Sequence, residues 1–122
     1  GAITPTTNPT STIINNSIAM ISAGNAVTFN VHPNAKQTSV ENIQILNRAI
    51  IGAGGPPNLI TALPNPTLES AKELMMHPDV RVLLVTGGPG VVKEALAHPA
   101  KAEEEVFNLE KEHIRNIFCF IV

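Results

Sequence analysis

The sequence predicts an open α/β domain in which helices cover both faces of a parallel sheet. Three observations predict it. Over residues 1–98, four short β-rich runs alternate with four runs at helical spacing, which is the pattern of βαβ units. Residues 81–86, RVLLVT, hold a continuous apolar run, as expected of a strand covered on both sides. Glycine and proline clusters punctuate the junctions. Parallel crossovers are right-handed almost without exception, so a three-layer open parallel sheet is the expected architecture.

Residues 1–4 read as the end of a first strand, broken by Pro5. Over residues 11–23, Ile14, Ile18 and Ile21 recur at helical spacing, and Gly24-Asn25 stops the helix. Residues 26–31, AVTFNV, form a short β-branched strand ended by His32-Pro33-Asn34. Residues 36–51 place Val40, Ile43, Leu46 and Ile50 on one helical face, closed by Gly52, Gly54 and Gly55. A third strand at residues 58–63, NLITAL, ends at Pro64 and Pro66. Thr67 is the expected N-cap of a helix through residue 77, with Leu68, Ala71, Leu74 and Met75 inward. After the strand at 81–86 comes Gly87-Gly88-Pro89-Gly90, then a helix over about 91–98, with Pro89 suited to its first turn. From residue 100 the character changes. Residues 102–115 suggest an acidic helix and residues 117–122, IFCFIV, one more buried strand.

Charge is scarce and uneven. Charged residues are 15% of the chain, against about a quarter in typical domains. Residues 1–71 carry only Lys36, Glu41, Arg48 and Glu69, whereas residues 101–122 carry eight charges. Faces so poor in charge suggest cover by other domains or subunits, with a surface of Asn, Thr and Ser as the alternative. A net charge of −2, with no Trp or Tyr, argues against nucleic acid as a partner. No apolar run reaches the ~18 residues of a membrane span, and the expected setting is cytoplasmic. The single cysteine, Cys119, rules out an internal disulfide framework and reads as an inert buried thiol.

Ligands of open parallel sheets sit beyond the carboxyl ends of the strands. That places Thr6, Thr7 and Asn8, then Asn30, Val31, His32 and Pro33, then Pro64 and Asn65, then Thr86, Gly87 and Gly88 around one site. The turn at 86–90 leads into a helix N-terminus, which favours an anion, though it matches neither a P-loop nor GxGxxG. His77 and His98 read as helix-closing residues, and no metal-ligand spacing occurs. A non-catalytic module that binds a nucleotide or a partner, and a folded remnant with no ligand, are the rival readings.

TPTTNPT, NVHPNAK and TGGPGVVK occur in order along the chain. Residues 1 to about 99 resemble the coenzyme-binding domain of CoA-acylating aldehyde dehydrogenases, of the propionaldehyde and acetaldehyde type found in propanediol- and ethanolamine-utilising microcompartments. The resemblance implies a Rossmann-like fold of the aldehyde dehydrogenase coenzyme-binding type, incomplete here. It implies a parent reaction in which an aldehyde, NAD⁺ and coenzyme A give acyl-CoA and NADH, with NADP as the alternative dinucleotide. It also implies roles. Asn8 donates to the oxyanion formed when a cysteine attacks the aldehyde, an oxyanion-hole contribution. Thr6 and Thr7 lie beside the nicotinamide half, and His32 and Pro33 near the adenosine ribose. Thr86, Gly87 and Gly88 lie by the pyrophosphate, with Val91 near the adenine. Asn30 stands where many hydrolytic relatives place a lysine. The family's nucleophilic cysteine belongs to a separate catalytic domain, and Cys119 falls too early to match it. A catalytically incomplete piece of an oligomeric enzyme, partnered by its other domains or subunits, is therefore expected, in the cytoplasm or a microcompartment lumen. Residues 100–122 carry no match to the family.

Overall fold

The computed structural model describes residues 1–88, 90, 91, 93, 106–108 and 117–121. Four strands are parallel: β1 (Ala2–Ile3), β2 (Val27–Asn30), β3 (Ile60–Ala62) and β4 (Val82–Thr86). Between them run α1 (Pro9–Ser22), α2 (Lys36–Gly52) and α3 (Leu68–Met76), with a short 3₁₀ turn at Pro33–Ala35 ahead of α2. Two further strands, β5 (Val106–Asn108) and β6 (Ile117–Ile121), pair antiparallel, and β6 pairs antiparallel with β4. The sheet order is β3-β2-β1-β4-β6-β5. The α/β class and the four-stranded parallel sheet are as the sequence predicts.

Local chemistry explains the boundaries. Pro9 opens α1, where its missing N–H costs no intrahelical bond. The helix ends in a Schellman motif: Gly24 adopts φ +80°, its N–H donates to the Ile21 carbonyl, and Asn25 N–H donates to that of Met20. α2 closes identically through Gly54 at φ +84°, with Gly55 N–H reaching the Ile50 carbonyl. Gly52 falls inside α2. Thr67 caps α3 by a reciprocal box: Ser70 N–H donates to Thr67 Oγ1 at 3.0 Å and Thr67 N–H to Ser70 Oγ at 2.8 Å. On the edge strand β3, Asn47 of α2 grips Ile60 from both sides, donating Nδ2 to its carbonyl and accepting its N–H.

Two cores lie on opposite faces of the sheet, because alternate strand residues point opposite ways. Ala2, Val27, Phe29 and Ile60 pack with Ile13 of α1 and Ile43 of α2. Ile3, Leu83 and Val85 pack with Ala71, Leu74 and Met75 of α3. β4 serves both, since Leu84 joins the first cluster while its neighbours join the second.

Three expectations are corrected. The buried face of α1 is Ile13, Asn16 and Ser17, leaving Ile14 and Ile18 exposed. Adjacent Ile13 and Ile14 both begin helical stripes, and the stripe carrying the small Ser17 is the one that packs. Leu68 is 76% exposed rather than inward, because it is the first residue of α3 and overhangs the strand ends. Within residues 102–115, Val106–Asn108 form a strand rather than helix, consistent with a β-branched and an aromatic residue side by side. Of the helix expected over about 91–98, Val91 and Lys93 are helical, as is Gly90 before them. Pro89, His98 and the remainder of 102–115 lie outside the described residues.

Candidate functional site

The connections set the position of the site. From β1 to β3 the chain steps one way across the sheet, with α1 and α2 on one face. It then returns past β2 and β1 through α3 on the other face to place β4 beside β1. The loops after β1 and β4 therefore leave the sheet in opposite senses and open a crevice between them, the switch point at which such sheets bind ligands. A cleft of about 860 Å³ lies there, within the size range of ligand pockets.

The cleft gathers nearly all the residues singled out from the sequence. Thr6, Thr7 and Asn8 line it from the β1–α1 loop, Asn30, Val31, His32 and Pro33 from the end of β2, and Thr86, Gly87 and Gly88 from the end of β4. Val91 completes that wall. Pro64 and Asn65 are not among the lining residues. Sequence reasoning passed over Leu68, Thr67 and Thr4, which also line the cleft. Among the described residues, no Asp, Glu, Lys or Arg does so.

Asn8 holds the N-cap position of α1, yet its side chain makes no capping hydrogen bond. An exposed amide on the cleft wall is thus left for a ligand. His32 is also exposed, and its Nδ1 accepts the Asn34 N–H at 3.2 Å. His77 makes the same bond to Asp79 N–H, so this is a habit of the His-Pro turn, and what distinguishes His32 is that it lines the cleft. Thr4 and Thr86 line the cleft, and their hydroxyls are buried with no hydrogen-bond partner among the described residues. A Cβ built on Gly88 meets nothing within 4 Å, so that turn leaves open space beside the backbone.

Asn30 is not free to bind. It is 5% exposed, with Nδ2 donating to the Thr67 carbonyl at 3.1 Å and Oδ1 accepting from Ser70 Oγ at 3.0 Å. No group of three or more His, Cys, Asp or Glu residues is placed to hold a metal among the described residues. Nor is any described helix long and apolar enough to cross a membrane.

Comparison with known proteins gives the lineage of this arrangement. A family model described as "Aldehyde dehydrogenase family" matches residues 1–111, which extends past residue 99. An acetaldehyde dehydrogenase (acetylating) of Bilophila wadsworthia is 54% identical over 94 residues, covering 77% of this chain and 19% of that protein. A propionaldehyde dehydrogenase from the Clostridium phytofermentans fucose utilisation bacterial microcompartment superposes with TM-score 0.77 at 49% identity, over 80% of this chain and 22% of the other. An engineered glycolyl-CoA reductase with bound NADP⁺ gives 0.76 at 46% identity, over 80% and 22% of the two chains. The chain spans about one-fifth of the length of the relatives it matches.

Proposed function

This chain belongs to the aldehyde dehydrogenase family, and on that premise we propose that its described core is the dinucleotide-binding part of a CoA-acylating enzyme. The parent reaction converts an aldehyde, NAD⁺ and coenzyme A to acyl-CoA and NADH. The observation that carries the reading is the cleft at the switch point, lined among the described residues by no Asp, Glu, Lys or Arg, with open space beside Gly88. NAD is the expected ligand, with NADP as the alternative, and when bound it supplies the hydride acceptor.

The chain's own residues divide the work. Thr86, Gly87 and Gly88 receive the pyrophosphate where a Cβ at Gly88 would intrude. Leu68 and Val91 offer apolar surface to the adenine, and His32 and Pro33 flank the adenosine ribose. Thr6 and Thr7 run beside the nicotinamide half. The uncommitted amide of Asn8 is the donor for charge developing on the aldehyde oxygen.

Turnover needs a nucleophile as well. The one cysteine, Cys119, pairs with Leu84 in the middle of β4, two residues short of the strand end at Thr86. Its backbone is therefore set back into the sheet by about 7 Å from that strand end. These 122 residues bind cofactor but do not acylate CoA by themselves. The rest of the parent, or its subunits, covers the outward isoleucines of α1 and α2 (Ile14, Ile18, Ile45 and Ile51). The cytoplasm or a microcompartment lumen is the proposed setting.

Calorimetry with NAD⁺ and NADP⁺ tests the reading. Binding at about millimolar affinity or better is expected, weakened about tenfold or more by Gly88→Val and by His32→Ala, with the melting temperature held for Gly88→Val. Absence of binding by the folded chain sinks the proposal.

A further inference from the structure

We infer that Asn30 is a positioning residue for the adenine end of the cleft, acting through the first turn of α3. The inference rests on the nucleotide reading above. The carboxyl end of β2 is where dinucleotide-binding sheets commonly place a side chain against the adenosine ribose. Here that side chain is committed elsewhere, and its hydrogen bonds show where. The Thr67 carbonyl accepts the Ala71 N–H at 3.0 Å and Asn30 Nδ2 at 3.1 Å. The Ser70 hydroxyl accepts from Thr67 N–H, and its own proton has two acceptors in reach, Asn30 Oδ1 at 3.0 Å and the Thr67 carbonyl at 3.1 Å. Both members of the capping box are thereby within hydrogen-bond reach of one buried amide on β2.

A capping box alone fixes where a helix begins along its own chain. Asn30 fixes where that beginning lies relative to the sheet. The residue positioned as a result is Leu68, which follows Thr67 directly and is 76% exposed on the cleft wall. Core packing holds Ala71, Leu74 and Met75, but it does not reach Leu68. The clamp therefore supplies the placement that burial does not, and an apolar ring packing on Leu68 depends on it.

The experiment measures 5′-AMP affinity for the whole chain by calorimetry, at a temperature where melting curves show each variant folded. Asn30→Ala and Ser70→Ala cut the same clamp from its two ends. Each is expected to weaken 5′-AMP by about fivefold or more, with Ser70→Ala carrying the test if Asn30→Ala does not fold. Because the clamp acts through Leu68, adding Leu68→Ala to Ser70→Ala is expected to cost less than about twofold more, although Leu68→Ala alone weakens binding. Unchanged affinity in the folded clamp variants, or Leu68 and clamp losses that simply multiply, overturns the inference and leaves the nucleotide reading standing. A wild-type chain that binds neither 5′-AMP nor NAD⁺ overturns both.

Discussion

At the scale of single residues, Asn8 is the most telling. Asparagine is among the best N-cap residues because its side chain satisfies a free N–H of the first turn, and losing such a cap costs about 0.5–2 kcal/mol. Asn8 makes no such bond, so Asn8→Ala is expected to change the unfolding free energy by less than about 0.3 kcal/mol in denaturant titration. A loss of 1 kcal/mol or more would show that the amide caps the helix after all. The cleft-wall positions of Asn8, Thr86 and Gly88 were legible because strand-end position and motif point to the same places. Asn30 was legible as a position but not as a clamp, since its partners lie 37 and 40 residues away. Thr4 was missed because a threonine at a strand end has nothing in its sequence to mark an unpaired hydroxyl.

Among the elements, α3 combines the clearest signals with a misreading. Its start is written in Thr67, and its inward face in Ala71, Leu74 and Met75. Thr67→Ala removes the Oγ1 acceptor for Ser70 N–H and is expected to cost about 1 kcal/mol, visible as a lowered melting temperature. An unchanged melting temperature would mean that the Asn30 contacts alone define the helix start. Helical periodicity placed Leu68 on the buried stripe because it knows the helix angle and not where the sheet ends. For α1 periodicity failed differently: two stripes fit, and only the docking against the sheet and α2 selects Ile13 over Ile14. Gly24 marks its helix end directly, whereas Gly54 is one of three glycines that the sequence offers and only its φ of +84° singles it out.

Across the whole molecule, the fold class followed from alternation and the handedness rule, since β1 to β4 leave little choice of topology. The antiparallel β5–β6 pair did not follow, because nothing in an isolated apolar run sets its direction. With Cys119 opposite Leu84 in the sheet, a mixture of this chain with propionaldehyde, CoA and NAD⁺ is expected to show no NADH absorbance above the protein-free rate. Steady NADH formation would show that the chain holds a working nucleophile.

β1 is only two residues long, yet it is the seam between the two halves of the parallel sheet, pairing Ala2 with Phe29 on one side and with Leu84 on the other. The first pairing becomes available as soon as β2 is synthesised, well before β4. The second closes a loop of about 80 residues, at an entropic cost of about 4 kcal/mol beyond a constant term. Translation at about 5–20 residues per second puts several seconds between the two events. Throughout that interval the far side of β1 is an open edge on the nascent chain, where any extended segment finds unpaired N–H and C=O groups.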